Sequence, residues 1–401
     1  MKPKPGQKLR IIVAGLVGQF PLGGVAWDYF HYVLGLHELG HDVYYHEDTW
    51  CWPFDPINRT PAEGFDTSVN FIRDFFNRFA PELAKKWHYV VLHEKHFGMS
   101  EQEFTEIEKT ADIFLNVSGA TFFPSNLSPK CVKVFLDTDP GYNQIMLSEK
   151  FAWSENVERW CQMVADHDRH LTYAENINNP DCVIPRLDFD WRATRCVVTL
   201  GSWADIRAKL PAPAAPYGTV MTWDWFKGAL VYKGVEYSNK ATEFERFHDL
   251  PRHIDLPLAL AVGGVKAPTD ALQRDGWQII DAQKVTLTPQ SYQKLIEDSA
   301  GEWSIAKNVY VATRSGWFSC RTACYLAAGR PTVVQDTGWS KFVPSGRGVI
   351  GFSNMEQSLA GLREISGNAA VHRAAAYEVA REYLAPDRVL PQMIDAIYDA
   401  R

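Results

Sequence analysis

Short runs of β-branched and apolar residues alternate with helically spaced apolar residues along most of the chain. That alternation restricts the fold to α/β architectures with largely parallel sheets, because parallel strands need a crossover and a helix is the usual one. The first series of runs covers residues 11–15, 42–46, 89–93, 113–117 and 132–136. Between the first two, Val25, Tyr29, Tyr32, Val33, Leu36 and Leu39 recur at helical spacing and Gly40 closes the helix, which gives one complete strand–helix–strand unit. A second series occupies 196–200, 219–221, 258–262, 277–280, 308–311 and 332–335. The aperiodic stretch PRLDFDWRATR lies between the two series, so the chain divides into a first domain over 1–190 and a second over 191–385. A helical tail beyond Glu378 is expected to break at Pro386 and Pro391.

With 401 residues, the chain can build two such domains, each burying a core without disulfides. Its 41 Lys and Arg against 48 Asp and Glu leave a formal charge of −7, without the positive field that draws proteins to nucleic acid or anionic lipid. The first apolar run, IIVAGLVG, is too short to span a bilayer, and no transmembrane segment is expected. Seven cysteines, odd in number and scattered, do not read as a secreted disulfide framework and point to the cytoplasm. Cys320 and Cys324, at helical spacing, read as small core residues.

In open parallel sheets ligands bind beyond the carboxyl ends of the strands, so two such domains would enclose a cleft between them. Four segments would face it. The first runs from Gly15 to Gly24 and places Gly23 and Gly24 ahead of a helix whose first N–H groups suit an anion, although the spacing is not that of a dinucleotide fingerprint. The second is Gly263-Gly264, with Lys266 beyond it. In the third, Lys240 opens a helix, where its charge opposes the helix dipole, which makes a structural role slightly less natural and an anion contact slightly more so. The fourth, 313–338, joins a polar turn, Arg314-Ser315-Gly316, to a helix of small residues ending at Gly329, then to a short strand and the loop Asp336-Thr337-Gly338. Its turn reads as a phosphate site. For every glycine here, turn geometry alone is the competing explanation.

Other patterns carry less. Asp137-Thr138-Asp139 and Asp188-Phe189-Asp190 spell DxD, but Asp139-Pro140 is a good turn initiator and no metal site is expected. His93 and His96, like His167 and His170, lack a third ligand at a known spacing. Trp50, Trp52, Trp223 and Trp225 could stack on a sugar or base, although core packing is the commoner use of tryptophan.

The fourth segment resembles the donor-binding half of GT-B-fold glycosyltransferases, in Ser315-Gly316, Ala327-Ala328-Gly329-Arg330-Pro331, Val333-Val334 and Gln335-Asp336-Thr337-Gly338. The first domain agrees through Phe20-Pro21-Leu22-Gly23-Gly24 and Gly40-His41-Asp42-Val43. The resemblance implies an α/β fold of two Rossmann-like domains with parallel sheets facing a cleft, and a tail, 386–401, that crosses back onto the first domain. It implies transfer of a sugar from a nucleoside-diphosphate sugar, a UDP-sugar being favoured, to an unidentified acceptor hydroxyl, with no permanently bound cofactor. The donor-binding residues would be Gly23, Gly24, Lys240, Gly263, Gly264, Arg314, Ser315, Gly316, Asp336, Thr337 and Gly338.

Two positions depart from the pattern. Cys324 stands where nucleotide-sugar enzymes of this fold commonly carry a ribose-binding glutamate, and Gly24 stands where plant-type inverting enzymes carry a histidine. The loop is closer to the retaining, glycogen-synthase-like group, which implies retention of configuration. An inverting reaction would need a base, for which His46, Asp48, His93, Asp137 and Asp139 are eligible. Arg314, Lys240, Lys266 and Lys307 are the cations available to a diphosphate. Three other readings share the architecture: a nucleotide-sugar epimerase, a non-catalytic sugar-nucleotide-binding protein, and a DNA-base glycosyltransferase, against which the net charge argues.

Overall fold

The first strand, β1 (Arg10–Ala14), is buried along nearly its whole length, as a central strand covered on both faces must be. The computed structural model that shows this describes residues 4, 6–49, 51–149, 155–223, 230–264 and 266–399, so that Trp50 and Trp225 lie outside the described residues. Around β1 stand β2 (Asp42–Thr49), β3 (Trp87–Val91), β4 (Lys95–Gly98), β5 (Ile113–Val117), β6 (Val132–Asp137), β7 (Arg169–Thr172) and β8 (Trp191–Ala193). Their order across the sheet is β8-β7-β6-β5-β1-β2-β3-β4, parallel except for the antiparallel edge strand β4. The order reverses between β1 and β5, which opens a crevice at their carboxyl ends.

The second sheet repeats the plan. Strands β9 (Tyr217–Thr222), β10 (Leu258–Gly263), β11 (Gln278–Ile280), β12 (Gly301–Ser304), β13 (Thr332–Gln335) and β14 (Val349–Phe352) lie in the order β11-β10-β9-β12-β13-β14, all parallel. Here the reversal falls between β9 and β12.

Two expected strands are corrected. Residues 196–200 form no ladder and run beside the end of the chain, where the Val198 N–H donates to the Leu384 carbonyl (2.9 Å). Asn308–Ala312 is a short helix, and the strand of that region is β12, which sequence reading missed because a charged Glu302 sits at its centre. Of the two tail prolines, Pro386 opens the last helix at its first position, where a missing N–H costs nothing, whereas Pro391 is carried inside that helix.

The helix α1 (Gly23–Glu38) packs against three others, α2 (Pro289–Glu297), α3 (Cys320–Ala327) and α4 (Pro386–Tyr398). The largest apolar cluster is continuous across both domains, uniting Trp27 and Phe30 of α1 with Trp203, Tyr292 of α2, and Cys324 of α3. Trp27 lies 5.2 Å from Trp203 and donates its indole N–H to the Pro289 carbonyl. Gly23 sits against the same segment, and a Cβ there would fall 2.2 Å from the Thr288 carbonyl oxygen. Where α4 meets α1, Gly35 leaves room for Leu390 and Pro386, and the Arg169 guanidinium donates to the Ile397 carbonyl (2.9 Å).

Candidate functional site

The carboxyl ends of both sheets open into one cavity of about 660 Å³. Val117 and Ser118, at the end of β5, stand on one side, and Val220, Met221 and Thr222 of β9 on the other, so both points of strand-order reversal face the same space. A short hairpin from the first domain covers part of it with Phe54, Pro56 and Arg59. The Gln283 side-chain amide reaches across from the second domain to the carbonyls of Pro56 (2.9 Å) and Ile57 (2.7 Å).

Three cations converge on the second-domain wall: Lys240, Lys307 and Arg321. The Lys307 ammonium bonds Asp139 (2.5 Å), whose other carboxylate oxygen accepts the Tyr310 hydroxyl. Arg321 bonds the fully buried Glu302 through Nε (2.6 Å) and donates to the Val220 carbonyl (2.8 Å). Lys240 makes no ion pair among the described residues. Burial, with Arg321 and Lys307 close by, holds its ammonium well below the usual lysine range, against the weaker pull of Glu302 and Asp139. An anion placed here would offset the repulsion that Arg321 and Lys307 exert on Lys240. One turn on, the Glu243 carboxylate is held by Asn308 (2.8 Å) and Gln335 (2.7 Å). An aromatic wall completes this side, with Trp317 stacked on Tyr310 at 4.4 Å and its indole N–H on the Thr138 carbonyl (3.2 Å).

Of the residues expected from sequence, Gly24, Lys240, Gly263, Gly264, Lys307 and Asp139 line this cavity. Gly23 does not, being covered by Thr288. Arg314, Ser315, Gly316, Asp336, Thr337 and Gly338 do not line it either, but form a seam between the domains. Arg314 pairs with Asp181 (2.8 Å), the Asn176 N–H donates to the Ser315 carbonyl (3.0 Å), and a Cβ on Gly316 would fall 2.7 Å from the Asn176 nitrogen. Asp336 accepts the Gly338 N–H (2.8 Å), and the Thr337 hydroxyl donates to the Trp317 carbonyl (2.7 Å). The glycines of this segment serve the close approach of two chain segments.

Asp137 is fully buried beneath the cavity floor and accepts from Asn143 (2.7 Å), Gln144 (2.6 Å) and Thr172 (2.6 Å). Burial pushes its carboxyl up to about 6 despite those bonds. His46 stacks between His88 and Phe104 at ring distances of 5.2 and 4.5 Å, outside the cavity. Asp48 pairs with His93 (2.6 Å), and Lys266 also lies off the cavity lining. Among the described residues no group of three His, Cys, Asp or Glu side chains is arranged to hold a metal ion.

The histidine stack gives a pH prediction. Burial first, and the neighbouring His96 second, hold His88 down to about 3. Its neutral form is therefore favoured in the folded state, and the stability it confers is complete above the unfolded value near 6.5 and lost as pH falls toward 3. The stability difference between the native protein and His88→Gln should shrink by about 1.4 kcal/mol per pH unit below 6.5. Chemical denaturation at pH 7.5, 6 and 5 measures it, and a difference independent of pH would contradict this placement.

Two cavity residues had gone unremarked in the sequence, Asp28 on α1 and Arg321 on α3. A signal existed: Asp28 is the single carboxylate or cation between Gly18 and His37, and Arg321 the single one between Ser315 and Gly329. A lone charge in an otherwise apolar or small-residue helix has to be paired or face a ligand.

No family model matches the chain, and no curated protein does. Among solved structures, the chain is similar to an α-glucosyltransferase in complex with UDP and a 13-mer DNA containing an HMU base. The identity is 11%, the match covers 98% of this chain and 100% of that one, and the TM-score is 0.59. It is also similar to a sucrose-phosphate synthase from Thermosynechococcus elongatus, at 12% identity, 96% coverage of each chain and a TM-score of 0.50. The chain thus has the GT-B fold, with two Rossmann-like domains facing a common cleft.

Proposed function

We propose that the protein is a glycosyltransferase that moves a sugar from a nucleoside-diphosphate sugar to an acceptor hydroxyl, without a metal ion. The observation that carries this is the convergence of Lys240, Lys307 and Arg321 on the cavity between the two reversal points of a GT-B fold. Glycosyl transfer leaves new negative charge on the departing diphosphate, and preorganised cations in a partly enclosed site stabilise that charge without reorganising. The trio supplies the charge that a divalent ion supplies elsewhere. Trp317 on Tyr310 offers a flat apolar face to a sugar or base ring, and the hairpin at Phe54 to Arg59, tethered by Gln283, limits water at the site. A UDP-sugar is the favoured donor, supported by the UDP complex of the α-glucosyltransferase that shares the fold.

The test is a thermal-shift panel of UDP, GDP, ADP, dTDP and CDP on the native protein, Lys240→Ala and Arg314→Ala. A nucleotide at about 100-fold over its dissociation constant stabilises by about 2.7 kcal/mol, a shift of several degrees. One nucleotide should shift the native protein and Arg314→Ala alike and leave Lys240→Ala unmoved. If none of the five shifts the native protein, the nucleotide-sugar reading falls.

A further inference from the structure

Among the described residues that line the cavity, only two carry a carboxylate, Asp28 and Asp139, and none is a histidine. Asp139 is committed, since one of its oxygens holds Lys307 and the other accepts from Tyr310. Asp28 differs. It stands in the second turn of α1, about one turn of chain beyond the Gly23-Gly24 entry, and its surface is open to the cavity. The Cys320 thiol lies beside it on the cavity lining, with the Arg321 guanidinium near enough to act on its charge. A thiol is a weak donor, so the carboxylate keeps most of its accepting capacity for something in the cleft. It also faces Arg321, placing a first-domain carboxylate opposite the cations assigned to the diphosphate.

We propose that Asp28 is the catalytic base that takes the proton from the attacking hydroxyl. The inference rests on the glycosyltransferase reading and deepens it. The acceptor oxygen forms a bond to the anomeric carbon as its proton passes to the Asp28 carboxylate. The bond from that carbon to the diphosphate oxygen breaks, and its electron pair leaves on the nucleoside diphosphate, held by Lys240, Lys307 and Arg321. Attack opposite the leaving group inverts the anomeric centre, contrary to the retention implied by the Gly23-Gly24 loop pattern. Enclosure pushes the Asp28 carboxyl up to about 7, against the opposing pull of Cys320 and Arg321, which suits a group that must accept and release a proton near neutrality.

Water serves as the acceptor in the test, because enzymes of this chemistry hydrolyse their donors slowly when no acceptor is present. UDP-glucose, an α-linked donor, is incubated with the native protein, Asp28→Asn and Asp28→Glu. UDP release is followed against pH, UDP affinity is measured by calorimetry, and the first glucose released is observed by proton NMR before it mutarotates. The native protein should release β-glucose. Asp28→Asn should bind UDP within twofold of native while its turnover falls at least a hundredfold, and Asp28→Glu should recover part of it. The native rate should rise through pH 7, and Asp28→Asn should lose that limb.

The titratable groups around Asp28 are Cys320 and Cys324 of α3, Tyr292 of α2, and Tyr29 and Tyr32 of α1; the Cys196 side chain first and burial second raise the Cys320 thiol, burial raises Cys324 and the three phenols, and all of them move out of that window. Arg321 stays charged throughout it. Of the other groups near the cavity, burial pushes Glu47 of β2 up to about 7 and Asp137 up to about 6, while burial, with Arg321 and Lys307, lowers the Lys240 ammonium, whose loss of charge would slow turnover as pH rises; a rising limb that persists in Asp28→Asn therefore belongs to Glu47 or Asp137 and overturns the assignment. Release of α-glucose, native turnover in Asp28→Asn, or a native protein that binds UDP and cleaves no UDP-glucose overturns it as well. A native protein that binds none of the nucleoside diphosphates instead removes the parent reading.

Discussion

Replacing Arg321 by Met is expected to lower stability by about 3–5 kcal/mol and to abolish the stabilisation by nucleotide. Glu302 is the reason for the first effect. Its carboxylate is fully buried at the centre of β12, one oxygen bonds Arg321 at 2.6 Å, and the other already lacks a partner. Removing the guanidinium leaves an uncompensated charge in the core, which costs more than an intact buried pair contributes. For a second domain of this size the melting temperature should fall on the order of 10 °C. The double variant Arg321→Met/Glu302→Gln removes the stranded charge and should recover most of that loss, because an absent pair is nearly neutral where a broken one is not. Nucleotide binding should not return with it. Differential scanning calorimetry with and without UDP separates the two effects, and a single variant as stable as the native protein would show that the pair carries no weight.

The second large effect is steric. Gly23→Ala would place a methyl carbon 2.2 Å from the Thr288 carbonyl oxygen and 2.9 Å from the Tyr292 Cβ. Backbone atoms at that distance cannot swing aside, so α1 and α2 must part, and overpacking of this kind costs up to about 3 kcal/mol. Those helices belong to different domains, so the variant should also loosen the cavity wall that Gly24 and Tyr292 share. Gly24→Ala makes the control, since its nearest neighbour would be the Tyr292 ring at 3.3 Å, a contact that small adjustments relieve. Thermal melts of the two should differ by several degrees. Equal melts would mean that the interdomain contact yields freely.

How far the molecule was legible from its sequence depended on what each signal physically encodes. The alternation of runs revealed two doubly wound sheets because strand burial writes itself as apolar residues at every position. It failed where burial was achieved by pairing: β12 hides behind Glu302, and a short apolar run at Val309 and Val311 is helical because no neighbouring edge receives it. Glycine was the ambiguous letter at the site. Gly263 and Gly264 do border the cavity, whereas Gly23 and Gly316 are demanded by Thr288 and Asn176, residues distant in sequence. A glycine records that something comes close, and the sequence does not say whether it is a ligand or another part of the chain. Asp28 and Arg321 were the reverse case, lone charges overlooked because no motif surrounds them.

The helix α4, at the far end of the chain from α1, docks on it. Leu390, Met393, Ile394 and Ile397 lie in the same apolar cluster as β1 and α1, and Arg192 of β8 donates to the Asp399 carbonyl at 2.8 Å. A cut in the segment 194–200 would therefore release neither half, and a chain stopped at residue 385 would leave α1 with an uncovered apolar face. During synthesis α1 stays uncovered until α4 has emerged, so the second sheet, whose last strand ends at Phe352, is complete before that face of α1 is closed.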